Sequence, residues 1–177
     1  MDIGGGRGQL WWDENPKINY ANDLDITIVD KDIGAIKIAK EWGFKTIKMS
    51  ANKPLLLSDN SFDTVVASHI IEHLESPYKF LLEVKRIMKS DGILILSLPN
   101  NSSWSHIFMD NSSEHLSHKY SFNNKGIVFL LKRTGFGVIK QYTVFPTKSK
   151  VAGIIWNSIP ILKTHWQDFT YICKITK

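Results

Sequence analysis

The chain has 177 residues, 43% hydrophobic and 22% charged, which suits one globular domain with a real core and excludes wholesale disorder. Its formal net charge is +5, but the lysines are scattered. That pattern reads as solvated surface, so a nucleic-acid partner is allowed but not favoured. The single cysteine, Cys173, excludes an internal disulfide and fits a reducing, cytoplasmic location, with the thiol a small apolar residue in a strand. No apolar run approaches the roughly 20 residues that span a bilayer, and Met1 is followed at once by Asp2 and glycines, unlike a signal peptide.

In chain order, residues 1–3 leave room for only a very short first strand before the glycines at 4, 5, 6 and 8. Residues 9–22 are irregular, with Trp11, Trp12 and Pro16. The β-branched run at 25–30 predicts a strand. Asp32 can cap a helix over 33–42, with Gly43 as its stop. Strands are predicted at 45–49 and 62–67, separated by a polar turn at 58–61. Ser76-Pro77 is an N-cap serine with proline at the first helical position. Phe80, Leu81, Val84, Ile87 and Met88 mark the buried face of that helix, and Asp91-Gly92 is expected to end it before a strand at 93–98. Asn123 can open a further helix, with Ile127, Leu130, Leu131 and Thr134 on its face and Gly135 closing it. Strands at 136–145 and 169–176 finish the chain. Alternating strands and helices predict an α/β fold. The final pair of strands can set one antiparallel strand on an otherwise parallel sheet.

The glycine turn is the part that points to a ligand. Glycines at such a turn reach positive φ without strain and let backbone N–H groups approach a bound molecule. A dinucleotide fingerprint needs a third glycine at position 9, where Gln9 stands. What remains is Asp2, Gly4, Gly6 and Gly8, spaced by two. Asp30 ends the second strand, where a carboxylate can accept hydrogen bonds from a ribose diol.

The pattern D-x-G-x-G-x-G at 2–8 resembles motif I of class I methyltransferases that use S-adenosylmethionine. Residues 61–69 (SFDTVVASH) resemble the fourth-strand motif of the broad family that includes the UbiE and UbiG types, also called methyltransferase type 11. Glu72-His73-Leu74, the run KRIMKSDG at 85–92 and Pro99-Asn100 follow in the family's order. The resemblance implies a Rossmann-like, mostly parallel sheet with helices on both faces, one antiparallel strand near the C-terminus and a truncated first strand. It implies one domain over 1–177, expected to lack the family's usual N-terminal helix and most of strand 1.

The resemblance also implies roles. Gly4, Gly6 and Gly8 would pass under the methionine and ribose of S-adenosylmethionine. Asp2 would orient that loop and the methionine amine. Asp30, with Lys31 and Asp32 nearby, would hold the ribose. Ser50-Ala51 falls where the family usually has Asp-Ala facing the adenine amine, and serine accepts a hydrogen bond more weakly there. Ala67, Ser68 and His69 would line the methionine end. His73 and His118 are the candidate catalytic bases, because imidazole titrates near neutrality.

The expected reaction is in-line methyl transfer to a small-molecule oxygen, nitrogen or carbon. Two alternatives stand beside it. Small-RNA 2′-O-methyltransferases bind Mg²⁺ through an E-x-x-E-H motif and a later histidine, and Glu72, His73 and His118 would match part of that set. His69 replaces the first glutamate, however, and a hard Mg²⁺ ion prefers oxygen ligands, so no metal is expected and Glu72-His73 is read as shaping the loop. Histidines with one carboxylate would suit Zn²⁺, Mn²⁺ or Fe²⁺ better. The second alternative is an inactive, methyltransferase-like binding subunit. Residues 151–162 are apolar and read as core packing or a substrate lid. Trp104, Phe108 and Met109 fall where relatives place acceptor loops, and no role is assigned to His106, His115 and His165.

Overall fold

The computed structural model describes residues 1–11, 24–100, 117–144 and 168–176. The expectations for Trp12, Pro16, Trp104, His106, Phe108, Met109, His115, Phe145, His165 and residues 151–162 lie outside the described residues. The strands are β1 (Asp2–Ile3), β2 (Thr27–Asp30), β3 (Lys45–Lys48), β4 (Phe62–Ser68), β5 (Met88–Leu98), β6 (Phe136–Val144) and β7 (Asp168–Ile175). The helices are α1 (Ile33–Glu41), α2 (Pro77–Ile87) and α3 (Asn124–Arg133).

The strands form one sheet in the order β3-β2-β1-β4-β5-β7-β6. All pairings are parallel except those of β7, which runs antiparallel to both β5 and β6. The chain builds outward from β1 to β3, then returns to β4 on the other side of β1. Strand order therefore reverses at β1, and open α/β sheets bind ligands in the crevice at the carboxyl ends of such strands.

Each helix starts as its sequence dictates. Asp32, Ser76 and Asn123 accept the backbone N–H groups of Ala35, Lys79 and Gly126, at 2.8, 3.3 and 2.8 Å. Adjacent residues of β2 show how the helices distribute. Ile28 packs with Ile36 and Ala39 of α1, whereas Val29 belongs to the larger core with α2 and α3. Successive strand side chains point to opposite faces, so α1 covers one face and α2 and α3 the other.

The structure corrects one junction. Met88 is not on the helix: α2 stops at Ile87, and β5 starts at Met88, which pairs with Phe62. The pairing then shifts register before resuming at Thr64 with Ile93. Asp91-Gly92 is therefore an irregularity inside the strand. The amphipathic period continues through Met88, but the last helical carbonyls are taken by the turn before β4: Asn60 and Ser61 N–H donate to the carbonyls of Arg86 and Ile87. Gly92 is needed there because a Cβ would lie 2.9 Å from the Lys89 carbonyl oxygen and 3.1 Å from that of Asp63. Thr134 caps α3, its hydroxyl bonding back to the Leu130 and Leu131 carbonyls.

Arg86 fixes the segment between β3 and β4. Its guanidinium donates to the carbonyls of Leu55 and Leu57 and to Glu83, while Glu83 accepts the Leu55 N–H. The segment at Leu55 and Leu57 is thereby held against α2. No helix among the described residues is long and apolar enough to cross a membrane.

Replacing Gly92 by alanine should cost about 1–3 kcal/mol, since rigid backbone oxygens cannot step aside. A thermal melt should fall by roughly 2–4 °C per kcal/mol in a domain of this size, and an unchanged midpoint would contradict the close approach.

Candidate active site

Asp2 and Ile3 end β1 at the middle of the sheet, and the glycine turn springs from there. Gly4, Gly6 and Gly8 have φ of +77, +56 and +83°, values that a residue with a Cβ adopts with strain. Gly4 N–H donates to the Val29 carbonyl at 2.7 Å, pinning the turn to β2. Beneath the turn, Asp2 is 2% exposed. Its Oδ2 accepts Trp11 Nε1–H at 2.9 Å, and Oδ1 has no hydrogen-bond partner among the described residues. Burial raises the pKa of this carboxyl. Gly5 escaped the sequence reading. A Cβ on it would sit 2.6 Å from Asp2 Oδ2, so its bare backbone closes over the carboxylate. The unbroken glycine run was its only signal.

Asp30 connects the turn to the second strand. Its Oδ2 accepts Gly6 N–H at 3.0 Å, and its Oδ1 accepts Asp32 N–H at 2.9 Å. Each oxygen keeps a lone pair. Asp30 lines a cleft with about 630 Å³ of atom-free space, together with Gly4, Lys31, Ser50, Ala51, His69 and His73. Ile3, Val29, Met49 and Leu74 supply the apolar walls. Seven residues singled out by the sequence thus converge on one cleft. Asp2, Gly6, Gly8 and Ser68 are not in its lining. Ser68 ends β4, paired with Ser97 of β5. Asn52 also lines the cleft, and its side chain accepts Glu75 N–H at 2.8 Å, while Ser50 Oγ accepts Asn52 N–H at 3.3 Å.

Past β4 the chain turns sharply. His69 has φ +50°, uncommon for a residue with a side chain. The turn places His69 Nε2 at 3.4 Å from Asp168 Oδ2, and Nδ1 at 3.7 Å from Glu72 Oε1. With a carboxylate facing each nitrogen, the Asp168 hydrogen bond foremost, its pKa is raised. Asp168 was missed by the sequence reading, and no local pattern could reveal it. The antiparallel return of β7 brings it to the site.

Glu72 is 2% exposed, and neither carboxylate oxygen has a hydrogen-bond partner among the described residues. Burial raises its pKa. His73 Nδ1 lies 3.1 Å from the Ser117 carbonyl oxygen. A carbonyl only accepts, so Nδ1 is the donor, which in a neutral ring leaves the lone pair on Nε2, 4.0 Å from Glu72 Oε1. His118 packs edge-on against His73, ring centroids 4.7 Å apart. The two candidate bases therefore sit together. Lys119 and Tyr120 N–H both donate to the Glu72 carbonyl, clipping the 117–120 segment to this turn.

A glycine turn at the strand-order reversal, an acidic residue ending β2 and a cleft between them are the arrangement with which Rossmann-like sheets bind nucleosides. The methyltransferase domain family matches residues 1–96. The chain belongs to this family. It is a class I methyltransferase, an enzyme dependent on S-adenosylmethionine. An uncharacterized protein of Methanocaldococcus jannaschii is 28% identical over 160 residues, covering 85% of this chain and 71% of that protein. A ubiquinone biosynthesis O-methyltransferase of Rickettsia conorii is 32% identical over 111 residues, covering 60% of this methyltransferase and 37% of that protein. The crystal structure of a SAM-dependent methyltransferase from Archaeoglobus fulgidus superposes with a TM-score of 0.72 at 24% identity, covering 98% of this chain and 84% of that one. At this identity the likeness speaks for the fold.

The cleft fits the cofactor on its own chemistry. The spare lone pairs of Asp30 suit a diol and the apolar walls suit an adenine face, while Gly4, against whose bare backbone Ile70 packs, adds no side chain to the cleft.

Two pKa directions give one pH prediction. Above the ordinary Glu value of 4.5, folded Glu72 keeps a proton that the unfolded chain has lost, so stability falls as pH rises through that window. His69 acts with the same sign higher up. Its contribution is complete below its ordinary 6.5 and is lost as pH rises through its raised value. With chelator present, Glu72→Gln should therefore melt higher than the wild type at pH 8, by an amount on the order of 1–3 kcal/mol, and equally at pH 4. A lower melt at pH 8 would contradict an uncompensated buried carboxylate.

Proposed function

We propose that this methyltransferase transfers the methyl group to a small molecule with an ionisable oxygen or nitrogen nucleophile, bound at the imidazole end of the cleft. The observation that carries this reading is the lining itself. Apolar side chains and two histidines line the cleft together with Asp30, Lys31, Ser50 and Asn52, and among the described residues no Phe, Tyr or Trp lines it. A site for single-stranded nucleic acid would be expected to offer a stacking platform. The ubiquinone biosynthesis O-methyltransferases among the relatives are, by name, enzymes of small-molecule synthesis, which supports the same class of acceptor. A carbon nucleophile is the outlying case, because it makes least use of a base.

The residues divide the work as follows. Asp30 holds the ribose, its carboxylate preset by the Gly6 and Asp32 N–H bonds. Gly4 lays a side-chain-free wall, Gly6 and Gly8 give the turn behind it its positive-φ course, and buried Asp2 fixes that turn from below. Ser50 and Ala51, with Lys31 opposite, border the adenine end. His69, with Ser68 just before it at the end of β4, would hold the methionine end, where an imidazolium paired with Asp168 would suit a carboxylate. When bound, the cofactor supplies a methyl group on a cationic sulfur, already electrophilic. Catalysis then rests on holding the acceptor in line with it and on removing the acceptor's proton. His73 is set up for that removal, because Ser117 holds its Nδ1–H and leaves Nε2 free to take a proton. His118 braces the ring and is the second candidate.

An RNA acceptor is the alternative, and the grouping of Glu72, His73 and His118 is what favours it. Strongly salt-sensitive RNA binding with turnover would promote it over the small-molecule reading.

Calorimetric titration with S-adenosylmethionine, and separately with S-adenosylhomocysteine, should show one site. Asp30→Ala should weaken it by about 10-fold or more, the loss of hydrogen bonds to a charged acceptor. Equal affinity in the variant would remove Asp30 from the site. On an accepted substrate, His73→Gln should lower kcat about 10²–10⁴-fold and abolish the acid limb of the pH profile. An unchanged profile would exclude His73 as the base.

A further inference from the structure

A second cavity adjoins the cofactor cleft, with about 830 Å³ of open, atom-free space. Lys48, Lys53, Pro54 and Leu56 of its lining have no part in the methyl-transfer reading. The sheet brings three cations to it. Lys48 ends β3 and is the register partner of Asp30, so Lys48 and Lys31 stand at the carboxyl ends of neighbouring strands. The turn after β3 folds back, with Lys53 N–H on the Ser50 carbonyl at 3.2 Å, and returns Lys53 to the same rim. Elsewhere lysines are neutralised: Lys45 by Asp25, Lys89 by Asp63 and Lys119 by Glu75. Lys31, Lys48 and Lys53 form no ion pair among the described residues, and no acid of the described residues lines the cavity.

The apolar part of the lining is held in place. Leu55 and Leu57 are both fixed by Arg86, and Leu55 also by Glu83. Leu56 stands between these anchored neighbours, its N–H 3.3 Å from Met49 Sδ, and is 89% exposed. A single exposed leucine is ordinary. One whose neighbours are both fixed, however, gives up little backbone freedom when a ligand covers it. Met49 and Pro54 complete the apolar walls.

We propose that this cavity is a second ligand site, which takes a small amphiphilic anion: a phosphate or carboxylate head on a short apolar body. The three ammonium groups suit the head. So does the Ser50 hydroxyl, which accepts Asn52 N–H and keeps its own proton to donate. Met49, Pro54 and Leu56 suit the body. An inorganic anion would leave those walls bare, and an uncharged amphiphile would leave three like charges uncompensated. Binding here stands apart from the cofactor reading, whereas its coupling to the cleft rests on that reading. Lys31, Met49 and Ser50 line both cavities, and Lys31 has one ammonium group for the two, so the two occupants weaken each other's binding.

The test is calorimetric titration of the full chain with octyl phosphate below its micelle concentration, beside inorganic phosphate and octyl glucoside. Octyl phosphate should saturate one site, inorganic phosphate should bind about 10-fold more weakly or worse, and octyl glucoside should give no saturable heat. Lys48→Gln combined with Lys53→Gln should weaken octyl phosphate about 10-fold or more, and Leu56→Ser about 5-fold or more. All three positions are exposed, so both variants should keep the wild-type circular dichroism and affinity for S-adenosylhomocysteine. Saturating S-adenosylhomocysteine should weaken octyl phosphate by about 5-fold or more, and an unchanged affinity would overturn the coupling. A chain that binds octyl phosphate but not S-adenosylhomocysteine would fail the cofactor reading and leave this site standing. Phosphatidylglycerol vesicles separate the lipid source. Lysine-dependent sedimentation with them, without binding of monomeric octyl phosphate, would overturn the small-ligand site in favour of a membrane surface. No saturable binding, or wild-type affinity in the folded variants, would overturn it outright.

Discussion

The hydrogen bond from Gly6 N–H to the Asp30 carboxylate is the contact on which the rest of the site depends. It joins the turn after β1 to the end of β2, at the place where the sheet's strand order reverses. Asp30 is thereby set at the cleft with one lone pair per oxygen to spare. The turn stays open because its glycines accept positive φ, and it stays down because Gly4 bonds Val29 and Gly5 closes on Asp2. Met1 continues the pairing of β1 with β4. The Met1 amino group donates to the Thr64 carbonyl at 2.9 Å, and Val66 N–H donates to the Met1 carbonyl at 2.8 Å.

The second half of the site follows a different logic. Where the glycine turn works through backbone geometry, the region after β4 works through charge. Three imidazoles and two carboxylates, Glu72 and Asp168, meet at the end of the sheet. Their pKa directions agree with one picture, in which the buried acid resists ionising and His69 holds its proton. Such a cluster can store a proton, hold an ion or orient an acceptor. His69 is the most constrained member, with strained backbone and a carboxylate on each side.

Much of this was legible in the sequence because it is local. The caps at Asp32, Ser76 and Asn123 each act within three residues, and each starts its helix where the pattern placed it. The glycine spacing and the acid ending β2 likewise lie in short segments, and their convergence follows from the fold that alternation implies. The junction at Met88 was misread because helical periodicity continues past Ile87 while the deciding partner, Phe62, lies far away in sequence. Asp168 and the packing of Gly5 on Asp2 are contacts that no spacing encodes. The grouping of His73 with His118 was suggested by family resemblance, whereas the tautomer of His73 emerged only from its carbonyl neighbour.

The central claim is that the reversal at β1 holds the cofactor, with Asp30 on its ribose. A crystal structure with S-adenosylhomocysteine tests it most directly. Both ribose hydroxyls should lie within hydrogen-bond distance of Asp30, with the adenine beside Ser50-Ala51 and the sulfur directed towards His69. Nucleoside density elsewhere on the sheet, or a ribose that does not touch Asp30, would contradict it.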